Sequence, residues 1–136
     1  MRGCAAALVV GLVLAGCSGG EPRAAGDCGF PDADPAADES LVPPELLLTG
    51  TDLLSAERHR GTVNVVLAAP WSVQDALDRY RDAVGEAGFR IVSEDNEGFE
   101  AELYLRRGRL LAMTQVRRTV CADRSIVFFR ASRVDP

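Results

Sequence analysis

Between Ser72 and Gly88 the apolar residues recur at the spacing of one helix face, while on both sides of that stretch they alternate with period two. This contrast restricts the chain to strands flanking a helix. Val73, Ala76, Leu77, Tyr80, Val84 and Ala87 make the apolar stripe, and Asp75, Asp78, Arg79, Asp82 and Glu86 fill the opposite side. Pro70 stops the preceding strand. Ser72 is a good N-cap, with Asp75 three residues on as a weaker form of the capping box. Gly88 stands where a left-handed C-terminal cap is wanted, and Phe89 can fold back on the last turn.

Before the helix, Thr62–Ala69 reads as a strand, because Val63, Val65 and Leu67 alternate with smaller or polar neighbours. Asp52–Arg58 is an edge-strand candidate that turns at His59-Arg60-Gly61. After the helix come Phe89–Ser93, a turn at Asp95-Asn96-Glu97-Gly98, and a strand in which Phe99, Ala101, Leu103 and Leu105 alternate with Glu100, Glu102 and Tyr104. Arg107-Gly108 reads as a two-residue hairpin turn, Arg109–Arg117 as the return, and Ser125–Ser132 as a last strand. The expected fold is α+β: one amphipathic helix packed on an antiparallel sheet of about five strands, in the order ββαββββ, spanning residues 46–136 in two layers.

The amino terminus is a different kind of segment. Met1-Arg2 is positive, and residues 5–15 are small or apolar throughout, which is too short a run to span a bilayer comfortably. The run ends in Leu14-Ala15-Gly16-Cys17, followed by Ser18-Gly19-Gly20. This resembles the bacterial lipobox. The resemblance implies that residues 1–16 are a signal peptide, that Cys17 is acylated on sulfur, and that the mature protein is anchored to a membrane through lipid. Two or three acyl chains hold stably where one is marginal. Residues 17–45 then read as a tether, with five of the seven prolines and seven acids (Glu21, Asp27, Asp32, Asp34, Asp38, Glu39 and Glu45) against Arg23 alone.

Of the four cysteines, Cys4 leaves with the signal peptide and Cys17 is used by lipid, so Cys28 and Cys121 remain. Two thiols in an exported domain usually pair. Such a bond closes a loop of about 90 residues, for which chain entropy allows roughly 4–5 kcal/mol. Residues 46–136 balance thirteen acids with thirteen arginines, and lysine is absent. A neutral body on an acidic leash disfavours nucleic-acid binding, which needs a net basic face.

No catalytic constellation stands out. His59, the only histidine, lies between two arginines in a turn, without an evident partner. No serine sits in a nucleophile elbow. Glu94-Asp95-Asn96-Glu97-Gly98 offers oxygen ligands but lacks the spacing of a calcium loop, and reads as a solvated turn. Trp71, just before the cap, suits a hydrophobic staple. Neither a cofactor nor a metal is called for.

The hairpin carries more information. With Arg107-Gly108 as its loop, Phe99, Ala101, Leu103 and Leu105 share a side with Val116, Thr114, Ala112 and Leu110, and that side packs under the helix. The other side shows Tyr104 beside Met113 and Leu111, which is too apolar for a plain solvent face. The simpler expectation is that the N-terminal segment around Leu46–Leu48 covers it, held by a Cys28–Cys121 bond. The alternative is a partner protein or an apolar ligand docking on Tyr104, Leu111 and Met113.

Together with the lipobox, the runs Ala87-Gly88-Phe89-Arg90-Ile91-Val92 and Asn96-Glu97-Gly98-Phe99-Glu100-Ala101-Glu102 resemble small uncharacterised lipoproteins of GC-rich Gram-positive bacteria. That resemblance implies attachment to the outer face of the cytoplasmic membrane and brings no activity with it. The functional expectation is a non-enzymatic envelope lipoprotein that binds a partner. A purely structural accessory domain is the first alternative, and a cell-wall or lipid hydrolase the second.

Overall fold

A computed structural model describes residues 28–134. The expected signal peptide at residues 1–16, the expected lipidation site Cys17 and the first part of the expected tether lie outside the described residues. The elements run in the order β1 (Asp52–His59), β2 (Thr62–Ala69), α1 (Val73–Glu86), β3 (Arg90–Asn96), β4 (Glu100–Arg107), β5 (Leu110–Arg118) and β6 (Ser125–Arg133), preceded by two single 3-10 turns at Glu39–Leu41 and Pro44–Leu46. The strands form one antiparallel sheet with spatial order β1-β2-β6-β5-β4-β3. It has six strands where about five were expected. The class is α+β, with one helix on an open sheet.

The helix behaves as its sequence dictates. Ser72 Oγ accepts from the Asp75 backbone N–H, and the Ser72 hydroxyl donates to the Asp75 carboxylate. At the other end Gly88 takes a φ of +77°, the Gly88 N–H donates to Gly85 O, and the Phe89 N–H donates to Val84 O. That pair of bonds is the Schellman arrangement, which uses up the carbonyls a helix end leaves free. Val73, Ala76, Leu77, Tyr80, Ala83 and Val84 are buried. They meet Ala101, Leu103 and Leu105 of β4 and Ala112 and Val116 of β5, and the core continues through Val127 and Phe129 of β6 to Val65 and Leu67 of β2. Arg81 bridges Glu94, tying α1 to edge strand β3, and this hydrogen bond holds the Glu94 carboxyl below its ordinary range.

The β4–β5 hairpin corrects one expectation. Its two loop residues are Gly108-Arg109, one position later than expected, because Arg107 pairs with Leu110. Gly108 has a φ of +58° while Arg109 does not turn left-handed, the pattern of a type II′ turn with glycine first. Moving a two-residue loop by one position shifts the pairing by two. Every side chain therefore keeps its face and changes only its partner: Leu103 now opposes Thr114, and Tyr104 opposes Met113. Phe99 falls outside the strand and is 52 % exposed.

Residues 28–45 do not form the tether that was expected over residues 17–45. From Cys28 onward the chain is docked rather than loose. Cys28 and Cys121 are disulfide-bonded. The Asp34 and Asp38 backbone N–H groups donate to Leu54 O and Ala56 O, lining the otherwise open edge of β1. Val42 and Leu46 are buried in the core, and the Tyr80 hydroxyl donates to Leu46 O at 3.2 Å. Backbone pairing and a covalent link outweigh the polar, proline-rich composition that reads as a leash.

Two outcomes are expected. Burial pushes the Tyr80 phenol well above its ordinary value, so above about pH 10 only the unfolded chain ionises freely, and stability falls as pH rises. Tyr80→Phe should remove that alkaline dependence while costing about 1 kcal/mol at neutral pH by leaving Leu46 O without its donor. Urea unfolding at neutral and alkaline pH measures both. A Cys28→Ser, Cys121→Ser protein should lose about 4 kcal/mol in the same assay, since the bond spans 93 residues.

Candidate functional site

The sheet has one face under α1 and one face open. On the open face, the pairing places Ser55, Val66, Phe128, Gln115, Glu102 and Asp95 in one row across the sheet. The next row reads Glu57, Asn64, Arg130, Met113, Tyr104 and Ser93, and beyond it Leu111 sits between Ser132 and Arg106. Val66, Phe128, Met113, Tyr104 and Leu111 thus form a continuous apolar strip over β2, β6, β5 and β4. Tyr104 and Leu111 are each 43 % exposed, and Val66, Phe128 and Met113 are half-buried by their neighbours alone.

This corrects the simpler expectation for the face. Leu46 lies on the opposite side of the sheet, in the core beneath the helix, and Leu47 and Leu48 pack against that same core. The disulfide holds the segment at one corner only, where Phe30 and Ala33 lie beside Leu54 and Ala68. The physical reason is that α1 leaves the β1–β2 side of its own face bare, and the segment fills that gap. The structure therefore brings Tyr104, Leu111 and Met113 together as foreseen, and leaves them uncovered by residues 28–134.

Polar groups frame the strip. The Tyr104 hydroxyl donates to the Glu102 carboxylate at 2.5 Å, which holds the phenol above its ordinary value. Gln115 donates to the other Glu102 oxygen at 2.8 Å, and Arg117 pairs with Glu100 at 2.8 Å. These carboxylates are engaged with protein groups. In the acidic turn, Asn96 accepts from the Gly98 N–H, and Glu97 N–H closes the hairpin on Glu100 O. Among the described residues no cluster of His, Cys, Asp or Glu is arranged to hold a metal. His59 is exposed at the end of β1, opposite Thr62, with no wall around it. Trp71 packs partly against the core, with the Arg79 guanidinium 4.6 Å above its ring.

One grouping escaped the sequence reading. A hollow of about 860 Å³ opens at the end of the sheet where the β1–β2 and β4–β5 turns meet the end of β6, and it is lined by Arg58, Arg60, Arg107, Arg109 and Arg133. The signal was present as short arginine clusters at three strand ends. Only the antiparallel order of the sheet brings those ends together.

Because Leu111 is exposed and Met113 is half-buried by its neighbours on the open face, Leu111→Ser should change unfolding free energy by less than about 0.5 kcal/mol and Met113→Ser by about 1 kcal/mol. Leu103→Ala, beneath the helix, should cost about 3 kcal/mol. Chemical denaturation of the three variants compares the two faces directly.

Neither a protein-family model, nor a curated protein, nor a solved structure matches the chain, so the functional reading rests on the geometry of the domain and on the amino-terminal sequence.

Proposed function

We propose that this protein is a lipid-anchored, non-enzymatic binding module of the cell envelope, with the open sheet face as its working surface. The observation that carries this reading is the uncovered strip of Tyr104, Leu111, Met113 and Phe128 on a domain whose own N-terminal segment packs elsewhere. Isolated apolar side chains on a surface need no explanation, but a contiguous strip rimmed by charges has the make-up of an interface core and its polar rim.

The occupant is a protein surface rather than a small apolar ligand. The strip lies on a sheet, and the larger recesses of the domain open away from it. Both signs of charge rim the strip: Asp95, Glu102 and the Glu100–Arg117 pair lie toward one end of the strands, Glu57 shares a row with Arg130, and Arg106 lies toward the other end, so charge complementarity would select the partner. Packing of Leu46 under the helix argues against the purely structural reading, in which this segment would close the face. An exposed His59, without a carboxylate partner in its turn, argues against the hydrolase. Membrane attachment rests on Cys17 and the lipobox ahead of it.

A photo-crosslinking amino acid placed at Tyr104 or Leu111 should give one discrete adduct in native membranes, while the same group at Asp82 on the outer side of α1 should give none. Absence of adducts at both sheet positions would overturn the proposed surface. Separately, Cys17→Ala should abolish palmitate incorporation and release the protein from the membrane fraction; retention without label would overturn the anchor.

A further inference from the structure

The arginines of the hollow belong neither to the core nor to the surface proposed above. On the helix-bearing face, Arg133, Leu110 and Arg107 stand side by side in one row, and Arg58 begins the next, in line with Val63 and Ala131. Arg60 and Arg109 close the end from the two hairpin turns. Five arginines thus line a single recess, and among the described residues none that lines it is Asp or Glu.

Three features set this apart from an ordinary charged surface. Like charges gathered in one recess repel, and a domain with equal numbers of acids and arginines had acids available to intersperse. Arg60 holds a φ of +47° and is the one non-glycine residue with positive φ among the described residues, at a turn position that glycine or asparagine fills without strain. Finally, the floor is apolar: Val63, Leu110 and Phe129 lie under the arginines, with Leu41 and Phe89 at the walls. Arg107 is fixed in place, since it donates to Ala87 O at 2.6 Å and stacks over the Phe89 ring.

We propose that this hollow binds a phosphate-bearing amphiphile. Guanidinium forks match phosphate oxygens in paired hydrogen bonds, and a recess of this volume is of the size that takes small organic ligands. The floor receives the first carbons of a hydrocarbon chain, whereas a bare phosphate would leave it wet. The inference rests on the hollow alone and depends on neither the lipid anchor nor the open sheet face.

Titration calorimetry on the purified full chain tests it, with three probes kept below their aggregation limits: dihexanoyl phosphatidic acid, dihexanoyl phosphatidylcholine and inorganic pyrophosphate. Phosphatidic acid should bind, and the other two should bind roughly tenfold or more weakly. An Arg60→Gln, Arg109→Gln, Arg133→Gln protein should lose binding of phosphatidic acid by about tenfold or more, with an unchanged or raised thermal midpoint. Independently of any variant, the Nε–H resonances of Arg58, Arg107 and Arg109 should shift on titration while those of Arg79 and Arg117 stay still. Pyrophosphate binding as tightly as phosphatidic acid would overturn the amphiphile in favour of a soluble phosphate. No binding by either, undiminished binding by the variant, or shifts confined to Arg79 and Arg117 would overturn the site.

Discussion

A single helix cannot cover a six-stranded sheet, and the rest of this structure follows from that mismatch. α1 has 14 residues, hence a length of about 21 Å and a width of about 10 Å with its side chains. Six strands about 4.8 Å apart span about 24 Å, and strands of eight residues run about 27 Å. The helix lies over β4 and β5, so the β1–β2 half of the same face is left to whatever else the chain can supply. Val42 and Leu46 supply it, and Tyr80 joins the two covers by donating to Leu46 O. Beyond both covers the face stays bare at one end, and there the arginine hollow lies.

Among residues 28–134 the opposite face is covered only at one corner, where Phe30 and Ala33 lie beside Leu54 and Ala68. Its apolar strip is not a failure of patterning, because alternation on β4, β5 and β6 is maintained on the buried side without a break. The extra apolar groups are confined to the open side: Phe128 on β6, Met113 and Leu111 on β5, Tyr104 on β4. The exposed edges are treated differently again. β1 is lined by the backbone of residues 34–38, while β3 carries Arg90, Glu94 and Asp95 and a bulge between Ile91 and Ser93, which blunt it against pairing with another chain. Protected edges beside an open apolar face accord with the proposed use of that face for association.

Much of this was legible in the residues. Helix period, Ser72 and Gly88 defined α1 nearly to the residue, since capping chemistry acts within one turn of chain. The side each strand residue faces was legible too, and it survived a misplaced hairpin loop because side-chain direction depends only on whether the shift is even. The Cys28–Cys121 bond followed from counting thiols in a chain read as exported. Tyr104, Leu111 and Met113 could be grouped because they lie on neighbouring strands of one hairpin.

Which face the N-terminal segment would cover could not be read in this way. Its composition is that of a leash, and the decisive interactions, Asp34 and Asp38 N–H on the edge of β1 and Leu46 under Tyr80, join residues far apart in the chain through backbone groups that every sequence possesses. The arginine hollow was hidden for the same reason: Arg58, Arg107 and Arg133 belong to three strands whose ends meet only in the sheet order β1-β2-β6-β5-β4-β3. The sequence by itself determined the elements, their caps and the inward or outward direction of each side chain, because those depend on neighbours a few residues away. Only the tertiary structure decided what is covered and which charges stand together, because both depend on how much area one short helix can shield.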